Sequence, residues 1–173
     1  MSDADPVPVA ALDRAPAADA AAMLRPACAS TRWIRRLVDG RPHGTLDRLI
    51  AASDAAIGAL SWPDIEEALA AHPKIGNRAP SGAGEDQEVA WSRQEQAGAA
   101  AAPPDVQAAL RAGNLAYETR FGHIFLICAT GQSAPGMLAA LRQRLGNEPG
   151  AEREIVRDEL LHIVRLRLAK AFG

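Results

Sequence analysis

Residues 151–171 read AEREIVRDELLHIVRLRLAKA. Leu160, Ile163, Val164, Arg167 and Ala171 stand at i, i+3, i+4, i+7 and i+11, the spacing that gathers side chains on one face of an α-helix. The pattern predicts a closing helix whose apolar stripe faces a core. It also contains a conflict, because Arg167 sits in the middle of that stripe. An unpaired guanidinium in an apolar interior is very costly. Three outcomes resolve it: a structural salt bridge to a buried carboxylate such as Glu95, a stem that snorkels its charge to water, or a clamp on the carboxylate of a bound molecule through two parallel hydrogen bonds. Arg165 lies toward the edge of the stripe, within reach of water.

The same helical spacing recurs upstream. Trp33, Ile34 and Leu37 share one side of 31–38, and Leu46, Leu49, Ile50, Ile57 and Leu60 fall near one face of 45–60. Further helices are expected over 10–23, closed by Pro26, and over 65–71, opened by Ser61 as N-cap with Asp64 in the first turn. Others are expected over 85–101, 104–120, 137–145 and 151–171. Turn signals stand at Asp39-Gly40-Arg41-Pro42, Asn77–Gly84, Phe121-Gly122 and Gly131–Pro135. The apolar run Ile124–Ala129 fits a buried strand or a buried helix equally well. Alanine, the best helix former, is in excess, while aromatic residues make up only 4%. The expected fold is an all-α, single-domain bundle of about seven to nine helices over residues 10–173, with 1–9 as a flexible tail.

A formal net charge of -2 gives no sign of a nucleic-acid partner, which calls for a strongly basic face. No apolar stretch is long enough to span a bilayer. Residues 1–8 lack the basic-then-apolar order of a signal peptide, and Ala171-Phe172-Gly173 is not a peroxisomal tripeptide, so a cytoplasmic protein is expected. Cys28 and Cys128 belong to no ligand cluster, and no metal site is expected. Buried thiols in a reducing compartment, or a disulfide, both fit them.

Four segments carry residue types that do chemistry. His72 ends a helix, is followed by Pro73, and titrates near neutrality; it is either a proton carrier or a surface or capping histidine. Ser92, Glu95, Gln96 and Ala99 share a helix face and together could grip a polar heterocycle. Ser-x-x-Glu is equally a capping-box pattern or part of a solvated face. Phe125 to Ala129 reads first as core, with backbone amides beside a glycine break able to face a pocket. The fourth is Arg167.

In order, His72-Pro73-Lys74-Ile75-Gly76, Ser92-x-x-Glu95-Gln96-x-Gly98, Asn114-x-x-Tyr117-x-x-x-Phe121-Gly122-x-x-Phe125-x-Ile127-Cys128 and Leu166-Arg167-Leu168 resemble the OHCU decarboxylase family, from about Met23 onward. The resemblance implies an all-α enzyme without metal or organic cofactor. It implies decarboxylation of 2-oxo-4-hydroxy-4-carboxy-5-ureidoimidazoline (OHCU) to (S)-allantoin in urate degradation, and a homodimer. It implies His72 as acid/base, Glu95 as its partner and Arg167 as the active-site arginine, with Arg165 as the other register. Pro73, Ser92, Arg93, Gln94, Glu95 and Gln96, with Phe125, Leu126, Ile127, Cys128 and Ala129, would line the substrate site. A helical binding or scaffold protein, or a same-fold enzyme acting on another ureido or purine-derived compound, are the competing readings.

Overall fold

Proline sets the first boundary. α1 (Val9–Arg14) stops where Ala15 turns extended ahead of Pro16, at φ -65° and ψ 147°, and α2 (Ala17–Leu24) begins directly after it. The proline ring excludes the preceding residue from helical backbone, so the single helix expected over 10–23 is two. Val9 is buried inside α1, and the Val7 N–H donates to the Ala171 carbonyl at 2.8 Å. The chain is therefore tied down before the expected end of a tail at residue 9. The computed structural model describes residues 6–75 and 87–173; the turn expected at Asn77–Gly84 lies outside them.

Capping positions the next three helices. Ser30 opens α3 (Thr31–Asp39) and accepts from the Trp33 amide at 3.4 Å. Thr45 opens α4 (Leu46–Gly58) and accepts from the Arg48 amide at 3.3 Å. These bonds satisfy amides that have no partner inside the helix. Ser61 precedes α5 (Trp62–Ala70), as its sequence position suggests. Asp64 Oδ2 accepts from both the Ser61 hydroxyl and amide, at 2.6 and 2.8 Å, and these bonds hold the Asp64 carboxyl below its ordinary pKa.

The expected 85–101 helix is interrupted at Gln96, giving α6 (Gln87–Glu95) and α7 (Ala97–Ala100). Packing overrides alanine propensity here: a Cβ at Gly98 would stand 2.9 Å from the Gln132 carbonyl oxygen. α8 (Pro104–Phe121) ends at Gly122, whose φ of 77° is the left-handed conformation that glycine adopts without steric cost. Ile124–Ala129 is neither strand nor helix. α9 (Ala134–Arg144) starts earlier than expected, because Pro135 falls in its first turn, where a missing N–H costs nothing. α10 (Pro149–Phe172) closes the chain. The described residues hold ten helices and no strand. The all-α reading holds, and the splits at Pro16 and Gln96 put the count above nine. No described helix is long and apolar enough to cross a membrane.

The chain forms two compact units. One comprises the residues up to Ala68 together with Leu161–Gly173. In it α3 packs on α2 and α4. Trp33 is fully buried and its Nε1 donates to Ser53 Oγ at 3.0 Å, so its one polar atom is satisfied. Arg41 Nη1 donates to the Leu12 and Ala15 carbonyls at 2.8 and 2.6 Å, covering the C-terminal end of α1.

The second unit is Leu69–Leu160. Here α8 packs on α9 around Leu110, Tyr117, Phe125, Met137 and Leu141. Gly113 permits the approach, since a Cβ there would run into the Leu141 side chain. Glu152 is completely buried at the edge of this core. Its carboxylate accepts from Arg144 Nε at 2.8 Å, from Asn147 Nδ2 at 2.8 Å and from the Tyr117 hydroxyl, and Arg144 Nη2 pairs with it at 2.7 Å. Burial first, and the bond to Glu152 second, push the Tyr117 hydroxyl far above its ordinary pKa, so it remains a donor. Removing one partner of such a pair strands the other charge in the interior. Glu152→Ala is therefore expected to lower the unfolding free energy by about 3–5 kcal/mol. Urea unfolding followed by circular dichroism checks this; an unshifted midpoint would refute it.

Candidate active site

α5 ends at Ala70, and the His72 amide reaches back to the Leu69 carbonyl at 3.0 Å. Pro73 then prevents the helix from continuing. His72 is 9% exposed, which removes the reading of a surface histidine. Each of the next three residues is held by a side chain distant in sequence. The Pro73 carbonyl accepts from Gln96 Nε2 at 3.0 Å, directly beyond α6. Lys74 Nζ pairs with Glu118 Oε2 at 2.7 Å, and the Ile75 carbonyl accepts from Asn114 Nδ2 at 2.6 Å. Asn114 and Glu118 are one turn apart on α8, on one face. The backbone that aims His72 is thus pinned from two sides.

Ser92 lies inside α6 and is 1% exposed, so it is not the N-cap that its Ser-x-x-Glu pattern allowed. Glu95 and Gln96 are half-buried, whereas Arg93 and Gln94 present exposed side chains. A rotation of about 100° per residue separates these neighbours. Gln96 uses its side-chain amide nitrogen on Pro73, which joins the polar face of α6 to the His72 turn. Ala99 belongs to α7, after the helix break.

Phe125, Leu126, Ile127 and Ala129 are buried and Cys128 is half-buried. Their irregular backbone has no helix or sheet ladder to satisfy it. Arg144 Nη1 donates to the Leu126 carbonyl at 2.8 Å, and the Cys128 amide donates to Glu159 Oε2 at 2.7 Å. In the other unit Arg167 is 1% exposed and its Nη1 donates to the Pro26 carbonyl at 3.3 Å. Arg165 is exposed and forms a two-bond pair with Asp54, at 2.9 and 2.7 Å. The stripe therefore puts Arg167 inward and Arg165 outward, as its phase predicts. Among the described residues no group of three or more His, Cys, Asp or Glu side chains is arranged to hold a metal ion.

The sequence profile of OHCU decarboxylase matches residues 13–169. The chain belongs to the OHCU decarboxylase family. It is 34% identical over 147 residues to the uric acid degradation bifunctional protein TTL of Arabidopsis thaliana, a match covering 84% of this chain and 45% of that protein. The chain thus spans less than half the length of that relative. It is 33% identical over 149 residues to the 2-oxo-4-hydroxy-4-carboxy-5-ureidoimidazoline decarboxylase of Amia calva, covering 83% of this chain and 78% of the other. A crystal structure of OHCU decarboxylase in the presence of (S)-allantoin has a TM-score of 0.73 and 29% identity, covering 86% of this chain and 95% of that one.

Within this family member, the supports of the candidate site are what the sequence concealed. The helical spacings used above single out none of Glu118, Arg144, Glu152 and Glu159, and Asn114 stands only as part of the family motif. One signal was available for Glu152: the stripe Leu160, Val156, Glu152, followed backward at i-4 and i-8, puts a carboxylate inside. Asn114 bonds to a residue 39 positions away, which no local pattern reveals. Asn114→Ala leaves the Ile75 carbonyl without its donor, and is expected to cost about 1–3 kcal/mol of stability. Chemical unfolding measures this, and a variant as stable as the parent would show that the bond holds nothing.

Proposed function

We propose that this protein decarboxylates OHCU to (S)-allantoin using its own side chains, with His72, Glu95 and Arg167 as catalytic residues. The observation that carries the reading is the family match over residues 13–169. The same match, over residues 13–169, supports reading 10–173 as OHCU decarboxylase-like. The buried, pinned setting of His72 and the burial of Arg167 agree with these roles.

The substrate suits such a site. Its departing carboxylate is on a carbon that bears a hydroxyl and adjoins a C=N bond. When the bond to the carboxylate breaks, its electron pair moves into that C=N, and carbon dioxide leaves. The enol-like product then takes a proton on one face, which sets a single configuration. His72 carries that proton, with Glu95 as its partner. Ser92 and Gln96, with the backbone of 125–129, hold the ring; Pro73 shapes the turn beside His72. Arg167 binds the carboxylate as a planar fork. A clamp that merely neutralised the carboxylate would stabilise the ground state and oppose departure of neutral carbon dioxide. Its contribution is therefore orientation, while neighbouring donors stabilise the charge that develops on the ring.

Freshly generated OHCU, with the chirality of the allantoin followed by circular dichroism, tests the reaction. Accumulation of racemic allantoin at the uncatalysed rate would overturn it in favour of a scaffold protein or an enzyme of another substrate. His72→Asn is expected to fold and to lose on the order of a hundredfold or more in turnover. Arg167→Lys keeps the charge but loses the fork, so OHCU binding weakens, while Arg165→Lys stays near the parent. The reverse outcome for the two arginines would place the clamp at the outer position.

A further inference from the structure

We infer that Glu159 is a positioning residue for the substrate-lining segment 125–129, acting through the backbone amide of Cys128; the inference rests on the proposed reaction for what that segment does. The segment follows the left-handed Gly122 and precedes α9, and it is irregular throughout. Backbone of this kind, largely buried, has its polar groups satisfied one at a time or not at all. Two of those groups are held by ionised side chains. Arg144 Nη1 donates to the Leu126 carbonyl at 2.8 Å, and Glu159 Oε2 accepts from the Cys128 amide at 2.7 Å. The two charges also lie near each other, Arg144 Nη1 to Glu159 Oε1 at 3.8 Å.

The two anchors differ in kind. Arg144 is enclosed, 8% exposed, and shares its guanidinium among Glu152, the Leu126 carbonyl and the face of the Phe125 ring, 4.6 Å from its centroid. Its loss would disturb the core broadly. Glu159 has a side chain 22% exposed and makes its bond at the edge of the core. A bond to a carboxylate acceptor is about twice as strong as a neutral one, which suits a residue that must fix one amide at a partly exposed edge. Glu159 stands two turns after Glu152 on α10, at i+7, so one helix face delivers both carboxylates to this unit. Fixing Cys128 N–H on Glu159 and Leu126 C=O on Arg144 sets the path of the intervening residue Ile127. Ile127 is where the segment would present its own backbone groups to a ring.

Glu159→Ala and Glu159→Gln separate this role from a generic one, because the glutamine keeps an acceptor oxygen in place. The expected result is a rise in KM for OHCU of about tenfold in the alanine variant, with kcat changed less, and recovery to within about threefold of the parent in the glutamine variant. In parallel, amide hydrogen exchange on nitrogen-15-labelled protein should lose protection at Cys128 in the alanine variant while the α8 and α9 amides keep theirs. Parental KM in the alanine variant, equal impairment of both variants, or unchanged protection at Cys128 overturns the inference. If the parent does not turn over OHCU, the proposed reaction fails, and the exchange at Cys128 alone decides whether Glu159 holds the segment. Glu159→Leu, which keeps side-chain bulk without an acceptor, replaces alanine should that variant not fold.

Discussion

A carboxylate with no exposure to water, that of Glu152, is the constraint on which the Leu69–Leu160 unit depends. Taking a carboxylate out of water is unfavourable by several kcal/mol unless charge and hydrogen bonds replace the lost hydration. Arg144, Tyr117 and Asn147 supply those replacements. Each of them thereby loses its freedom. Arg144 is fixed where its remaining nitrogen meets the Leu126 carbonyl. Tyr117 is fixed where its ring meets Phe121, His123 and Phe125, with centroids 4.6–5.4 Å away. One ionic centre therefore organises the end of α8, the aromatic cluster and the irregular segment after Gly122.

Much of the fold was legible because it depends on short-range chemistry. The stripe through Leu160, Ile163, Val164 and Arg167 fixes helix phase within a few turns, and Arg167 is inward as that phase requires. Ser61 with Asp64 and Gly122 after Phe121 are local devices, and they act as their residue types suggest. The misreadings were of two sorts. Pro16 lies inside the helix expected over 10–23 and splits it, and Pro135, expected to close a break, falls in the first turn of α9. Gln96 breaks a run that alanine favours, because α7 must pass close to the Gln132 carbonyl. That contact lies over thirty residues away and leaves no local trace.

The candidate site divides in the same way. His72, Ser92, Glu95, Gln96 and Arg167 were legible as chemical types at suggestive spacings and as parts of a family pattern. The residues that hold them were not. Asn114 and Glu118 are ordinary polar letters on an amphipathic helix until the fold brings the 73–75 backbone against them. Burial also decides between neighbours that the pattern treats alike. Within one short run Ser92 is enclosed and Arg93 and Gln94 face water.

The bond from Gln96 Nε2 to the Pro73 carbonyl bears on how kinetics at this position are to be read. A side chain proposed as a contact to the ring is also a strut for the histidine turn. Its replacement would perturb two functions through one atom. Energies for Gln96 and His72 variants should then fail to add, because residues that share a support are thermodynamically coupled. A lowered rate on altering Gln96 is a difference measurement on the pair, not the worth of one contact. Epistasis between residues 72 and 96 is what one amide hydrogen on the neighbour of His72 would produce.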